Sequence, residues 1–192
     1  MAISIKQFVR LKMFIKFNLV FKLADMRYNI LISGPPASGK STLFVEAIKG
    51  KNAGGIHTPE IRRDGERWGF KVIDLHTGKE AIFASAEIKP AIVSKYGLDI
   101  EAFERVAIPA TEWALENADM VAIDEIGNME VHSEKFKQLV EQALDAKKVI
   151  ATISFRSKDP FIEKVKLRKD VKIHYLTRVN WERVLKEIKL EL

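Results

Sequence analysis

The feature that most constrains this chain is a glycine-rich turn between a short apolar run and a helix-like segment. Residues 28–33 are typical of a buried strand, and residues 34–42 read Gly-Pro-Pro-Ala-Ser-Gly-Lys-Ser-Thr. They match the pattern G-x-x-x-x-G-K-[ST], in which backbone N–H groups surround phosphate oxygens and glycine avoids an obstructing Cβ. The sequence therefore predicts a phosphate-binding loop between a strand and a helix.

Two side chains of the loop carry specific chemistry. Lys40 is predicted to neutralise the β- and γ-phosphates, and the Ser41 hydroxyl is predicted to hold Mg²⁺. The following helix directs its positive dipole end and its unpaired N–H groups at the same phosphates. The predicted nucleotide-binding residues of the loop are Gly34, Pro35, Pro36, Ala37, Ser38, Gly39, Lys40, Ser41 and Thr42.

A second apolar run ends in two acids. Residues 120–123 lack polar alternation, which is typical of an interior parallel strand, and Asp124 and Glu125 follow directly. We predict that this strand neighbours the strand of the loop, so that Asp124 holds Mg²⁺ through a water beside Ser41. Glu125 is then the predicted catalytic acid that orients or deprotonates the attacking water, acting with Lys40.

Further positive charge is expected near the transferred phosphoryl group. Arg62 and Arg67 are candidates, but Arg156 and Arg178 are favoured because each follows a buried strand. Ligands of open α/β sheets bind at the carboxyl ends of the strands, so Arg156 and Arg178 are predicted to contact the nucleotide.

Other chemistry-bearing residues have no recognisable pattern. The four histidines show no metal-ligand spacing and are predicted to be structural, and Trp181 is predicted to pack in the core, with stacking on a base as the alternative. The histidines are His57, His76, His132 and His174.

The order of the apolar runs predicts an α/β fold with a mostly parallel sheet flanked by helices. Strands near residues 28, 120, 149 and 171 alternate with helical patterns. From about 54 to 85 the pattern changes to alternating runs separated by Asp64-Gly65 and Thr77-Gly78, which predicts an inserted β-meander. Pro109 is predicted to begin a second helix after one that is capped by Asp99.

Composition limits the partners. The net charge is +6, yet residues 1–25 hold five basic residues and one acid, so the remaining 167 residues carry only +2. We therefore expect no specific nucleic-acid partner. The chain has no cysteine, which excludes disulfides and thiolate metal sites. We expect a cytoplasmic monomer whose ligands are a nucleoside triphosphate and Mg²⁺.

The first 25 residues are apolar but interrupted by lysine and arginine. No uncharged run approaches the ~20 residues of a membrane span, and the pattern of a signal peptide is missing. Our hypothesis is that Met26 is the natural start and that residues 1–25 are an extension from a mis-called start. Residues 26–192 are then the P-loop NTPase domain.

Four fragments of the chain resemble the THEP1-type nucleoside-triphosphatases. They are residues 34–42, 58–62 with Gly69-Phe70 beyond them, the block 124–130 and residues 177–180. The resemblance implies a RecA-like P-loop core and Mg²⁺-dependent hydrolysis of ATP, GTP, CTP and UTP to the diphosphate and phosphate. It also implies that Asp124 is the acid on the Mg²⁺ side and Glu125 the catalytic acid.

Two departures from the family pattern stand out. Ala37-Ser38 replaces the Gly-Val often found in the loop, and Trp181 stands where the family often has an arginine. Two alternative functions are compatible with the same residues. A nucleotide or nucleoside kinase would use the same site, with a hydroxyl acceptor in place of water and the meander as its lid. A nucleotide-dependent switch would use hydrolysis only to reset a binding surface.

Overall fold

The computed structural model describes residues 28–146 and 148–192, so the hypothesis about residues 1–25 lies outside the described residues. The strands are β1 (Asn29–Ser33), β2 (Ala53–His57), β3 (Glu60–Arg63), β4 (Glu66–Asp74), β5 (Glu80–Ser85), β6 (Gly97–Leu98), β7 (Met120–Ile126), β8 (Val149–Ile153) and β9 (Val171–Tyr175). The helices are α1 (Lys40–Ile48), α2 (Ile100–Asn117), α3 (Glu134–Asp145), α4 (Pro160–Lys166) and α5 (Trp181–Glu191), with a 3₁₀ turn at Glu130–His132.

The described strands form one mixed sheet in the order β6-β5-β4-β2-β7-β8-β1-β9, with β3 paired to β4. The five strands from β2 to β9 in this order are parallel, and β3 to β6 are antiparallel. The predicted α/β fold is confirmed. The meander is not a separate layer, because β4 pairs with β2 and extends the same sheet.

One predicted neighbour relation was wrong. The strand that feeds the loop, β1, pairs with β8 and β9, and β7 pairs with β2 and β8. Strand β8 therefore lies between the loop strand and the strand that ends in the two acids. Neighbouring strands are ~4.8 Å apart, so the two halves of the predicted site start about two strand spacings apart.

The prediction of two helices separated at Pro109 was also wrong. A single helix, α2, runs through Pro109 and is capped by Asp99, whose carboxylate accepts a hydrogen bond from the Ala102 N–H at 2.8 Å. An interior proline costs a helix about 3 kcal/mol, but α2 buries a continuous stripe of small and aromatic side chains against the sheet. This packing holds the helix together on both sides of the proline.

The first run of the predicted meander, from about residue 54 to the turn at Asp64-Gly65, is divided into two strands in the structure. β2 ends at His57 and β3 begins at Glu60, with Thr58-Pro59 between them. Pro59 has no N–H to give to a strand ladder, so the chain leaves the parallel part of the sheet here. This break sends Thr58 towards the end of β7.

The core has one apolar layer on each side of the sheet. Helices α2, α3 and α4 cover one face, and α1 and α5 cover the other. Side chains of successive residues in a parallel strand pack on opposite faces of the sheet. In β1, Leu31 packs in one layer, and Ile30 and Ile32 pack in the other. Among the described residues, no helix has the length and apolar character that crossing a bilayer would require.

Phe136 of α3 is fully buried and meets the Phe103 ring edge-on at 5.1 Å. We expect Phe136→Ala to lower the free energy of unfolding by about 3–5 kcal/mol, because the cavity removes both buried area and packing contacts. Chemical denaturation measures the change. Leu190→Ala is the control, since Leu190 is 79% exposed and its loss should cost less than about 0.5 kcal/mol. An equal loss of unfolding free energy in the two variants would contradict the assignment of Phe136 to the core.

Candidate active site

A cleft of about 1190 Å³ opens at the carboxyl ends of the parallel strands. The loop and α1 form one wall, the hairpin β3–β4 forms another, and the start of α5 closes one end. Lining residues include Gly34, Pro36, Ala37, Gly39, Lys40, Ser41, Thr42, His57, Thr58, Glu60, Arg62, Arg67, Phe70, Asp124, Glu125, Phe155, Arg156 and Trp181. Most of the predicted site residues therefore face one space.

The loop has the backbone that its glycines predict. Gly39 has φ +91°, and a Cβ there would lie 3.2 Å from the Trp181 indole nitrogen. A Cβ on Gly34 would lie 2.3 Å from the Leu176 carbonyl oxygen, which the fold does not allow. The Lys40 ammonium curls back and donates to the Gly34 carbonyl at 3.2 Å. The ammonium is thus held at the loop, where a bound phosphate would lie.

Asp124 is the most heavily contacted carboxylate of the cleft and is only 1% exposed. The Ser41 hydroxyl donates to Asp124 Oδ1 at 3.1 Å, and the Thr152 hydroxyl donates to the same oxygen. His57 Nδ1 lies 2.7 Å from Asp124 Oδ2. A serine hydroxyl beside an oriented carboxylate fits Mg²⁺, which takes one or two protein oxygens and completes its shell with phosphates and water.

Glu125 follows Asp124 and is half-buried at the cleft. Burial raises the pKa of the Glu125 carboxyl to about 7, and the nearby Asp124 charge adds to the rise while Lys40 opposes it. A carboxyl with this pKa is ionised in a large fraction of molecules at neutral pH and can also take up a proton. Both properties suit a general base.

Thr58 connects the two acids to a third one. Its hydroxyl donates to the Asp124 carbonyl at 2.7 Å and accepts from the Glu125 N–H at 3.1 Å. Glu130 Oε1 lies 3.4 Å from the same hydroxyl, and Glu130 is 6% exposed. Burial, reinforced by Glu125, raises the pKa of the Glu130 carboxyl to about 8.

The sequence patterns predicted no role at the site for four residues that the structure places there: His57, Thr58, Thr152 and Glu130. His57, predicted to be structural, contacts the carboxylate predicted to bind the metal, because β2 pairs with β7 in a register that sets His57 opposite Asp124. Only the strand order could have revealed this contact. For Thr58 and Glu130, the signal was their place in the fragments that carry the family resemblance.

The four candidate arginines lie in different places. Arg156 lines the cleft, and Arg62 and Arg67 line it from the hairpin, where both donate to Glu60. Arg178 is not among the lining residues, and its Nε donates to the Ala37 carbonyl at 3.3 Å. Arg178 thus braces the loop backbone in this structure.

The positions at which the sequence departs from the family pattern all lie at the loop, with Ala37-Ser38 inside it and Trp181 beside Gly39. Trp181, predicted to pack in the core, is half-buried and combines contacts with the core and the cleft. Ser38 is 5% exposed, and its hydroxyl has no hydrogen-bond partner among the described residues. A phosphate oxygen in the loop could supply that partner.

Comparisons with known proteins agree on one family. A family model described as NTPase matches residues 29–189. The nucleoside-triphosphatase THEP1 of Thermotoga sp. strain RQ2 is 43% identical over 162 residues, which cover 83% of this chain and 92% of the relative. The nucleoside-triphosphatase THEP1 of Methanothermobacter thermautotrophicus is 34% identical over 81% of this chain and 90% of its own. The crystal structure of THEP1 from Aquifex aeolicus superposes with a TM-score of 0.76 at 35% identity, covering 83% of this chain and 96% of that one.

Proposed function

The chain belongs to the NTPase family, and from this premise we propose that it hydrolyses ATP, GTP, CTP and UTP to the diphosphate and phosphate with Mg²⁺. The main support for the proposal is a contact between the loop and the end of β7, two segments that are far apart in the sequence. Ser41 Oγ and Asp124 Oδ1 are 3.1 Å apart although 83 positions separate them in the chain. Lys40 and Glu125, their chain neighbours, face the same cleft.

The proposed reaction needs a charge-neutralised phosphate and an oriented water. Lys40 and the N–H groups of the loop would hold the β- and γ-phosphates, and Ser41 and Asp124 would hold Mg²⁺, which when bound withdraws charge from the phosphate oxygens. The Glu125 carboxylate would orient a water against the γ-phosphorus. As the new P–O bond forms, the bond to the β–γ bridging oxygen breaks and the water proton passes to Glu125.

Acceptance of all four bases is supported by the apolar part of the cleft wall. Val45, Leu185 and the half-buried Trp181 ring line the cleft beside the loop. Stacking and apolar contact accept any base, because every base has a π-face, whereas hydrogen bonds to a base edge discriminate between bases.

One experiment tests the proposal against the kinase alternative. The purified chain is given each NTP labelled at the γ-phosphate, with Mg²⁺ or with EDTA, and with or without a panel of nucleosides and nucleotides. We expect labelled free phosphate in the absence of any acceptor, and none with EDTA. Label on an acceptor would show that a hydroxyl replaces water, and equal rates with EDTA would remove Mg²⁺ from the mechanism.

Thr152→Val tests the metal proposal. The variant keeps the shape of the side chain but loses the hydrogen bond that orients Asp124, and such supporting contacts typically change metal affinity about 10- to 100-fold. We expect the Mg²⁺ concentration for half-maximal hydrolysis to rise by about this factor, as measured in a Mg²⁺ titration. Thr111→Val is the matched control, because its buried hydroxyl bonds the Ala107 carbonyl inside α2, away from the cleft. A similar rise in both variants would contradict the proposal.

A further inference from the structure

Glu130 is a buried acid without a cation. It is 6% exposed in the turn that follows β7, and no lysine or arginine forms an ion pair with it within residues 28–146 and 148–192. The charged groups acting on its carboxyl are Glu125 and Asp124, both of the same sign. An ionised carboxylate in such a place is costly, because burial removes water and its neighbours repel it, and the hydrogen bond at its own backbone offsets only part of this cost.

The contacts of Thr58 point to the same state of Glu130. A hydroxyl has one proton, and the Thr58 hydroxyl directs it to the Asp124 carbonyl at 2.7 Å while accepting from the Glu125 N–H at 3.1 Å. The Thr58 hydroxyl also lies 3.4 Å from Glu130 Oε1, but with its one proton on the shorter contact to Asp124 it has none left for Glu130. The contact with Glu130 is a hydrogen bond only when Glu130 itself carries the proton and donates it.

Gly127 brings this acid next to Glu125. A Cβ on Gly127 would lie 2.8 Å from Glu130 Oε2 and 3.4 Å from Glu125 Oε1, so both carboxyls occupy the same side of this residue. A side chain at position 127 would push them away. Because Gly127 has no side chain, the carboxyls of Glu125 and Glu130 can lie close together at the end of β7.

We propose that Glu130 is a positioning residue that acts as a neutral carboxylic acid, donating its proton to the Thr58 hydroxyl and thereby holding the Asp124–Glu125 backbone in place. The inference rests on the proposed function, because Glu125 is the group whose position matters. An ionised Glu130 would instead accept from Thr58 and compete with the Asp124 carbonyl for its single proton. It would also repel the Glu125 carboxylate.

The decisive test compares a neutral isostere at two positions. Glu130→Gln can still donate a hydrogen bond to the Thr58 hydroxyl through its amide, so its kcat should stay within about 3-fold of the wild-type value. The kcat of Glu125→Gln should fall by more than this. Glu130→Leu cannot donate and should lower kcat about 10- to 100-fold with KM changed little. Glu134→Leu, which removes an exposed acid, is the control. A Glu130→Gln variant as inactive as Glu125→Gln, or a fully active Glu130→Leu, would overturn the proposal.

A double-mutant cycle separates positioning from loss of fold. Thr58→Val removes the acceptor of the proposed hydrogen bond, so Glu130→Leu should cost much less in the Thr58→Val background than alone. Full additivity of the two effects would overturn the proposal. If Glu130→Leu does not fold, the same cycle is run with Glu130→Gln, whose addition should change neither background by more than about 3-fold.

The pH dependence gives a readout that a purely structural role would not change. Since burial raises the Glu130 pKa to about 8, wild-type kcat should fall above about pH 8, and this alkaline fall should be absent in Glu130→Gln. The raised pKa also means that Glu130 favours folding below its ordinary value of 4.5 and loses this effect as the pH rises to about 8. The Tm of Glu130→Gln minus that of the wild type should therefore increase between pH 5 and 8. A constant Tm difference and identical pH profiles would contradict a neutral Glu130.

The rate of NTP hydrolysis by the wild type tells failure of the Glu130 proposal apart from failure of the proposed function. If the wild type releases no phosphate from any NTP, the proposed function fails and the activity arms have no reference. The Tm comparison would still decide whether Glu130 is neutral in the folded protein.

Discussion

Glu125→Gln is expected to bind NTP with unchanged affinity and to hydrolyse it about 10²- to 10⁴-fold more slowly. The amide matches the carboxyl in shape and size but cannot take the proton of the attacking water, and general-base catalysis is worth about this factor. The groups of the loop that are proposed to bind the phosphates are untouched, so the loss should fall on kcat. Phosphate release measures turnover, and displacement of a fluorescent NTP analogue measures affinity.

The control for Glu125→Gln is Glu182→Gln, which removes another acid that lines the cleft at the start of α5. We expect Glu182→Gln to keep the native rate within a few fold. Hydrolysis by Glu125→Gln at the native rate would show that another group, or none, accepts the proton. A large fall in NTP affinity would instead make Glu125 a binding residue.

Lys40→Ala is expected to lower both turnover and NTP affinity. The variant removes the positive charge held at the loop by the Gly34 carbonyl, and the proposed mechanism uses this charge in the bound state as well as in the transition state. Loss of one such stabilising group typically costs about 10²- to 10³-fold in rate. The same two assays separate this outcome from that of Glu125→Gln, which should spare binding.

Lys49→Ala provides the comparison for Lys40→Ala. Lys49 follows the other end of α1, its side chain is 76% exposed, and it pairs loosely with Glu46 at 3.9 Å. Its loss should leave both affinity and turnover within about 2-fold, since an exposed ion pair contributes little. A native rate in Lys40→Ala would remove the loop lysine from the mechanism.

The parts of the site that could be predicted are those that short stretches of sequence determine. The loop is recognisable because its glycines, its lysine and its hydroxyl must stand at fixed spacing between a strand and a helix. Asp124 and Glu125 are recognisable because an apolar strand ends abruptly in acids. Each of these signals lies within about fifteen consecutive residues, so no knowledge of the sheet order is needed.

The parts that could not be predicted depend on contacts between distant segments. The position of β8 between β1 and β7 is a property of the whole topology, and so is the register that sets His57 opposite Asp124. Thr152 reaches Asp124 only because β8 occupies that position. Pro109 failed as a helix boundary for a related reason, since packing of α2 on the sheet outweighs the local cost of the proline.

The position of β8 also determines when the enzyme can work at all. The residues proposed to bind the phosphates follow β1, and the acids proposed to hold Mg²⁺ and orient the attacking water follow β7. Strand β8 is hydrogen-bonded to both strands. Neither half has a complete set of groups without the other. Hydrolysis is therefore a property of the assembled sheet, and a nascent chain gains it only after residues 149–153 have been made and inserted between the two.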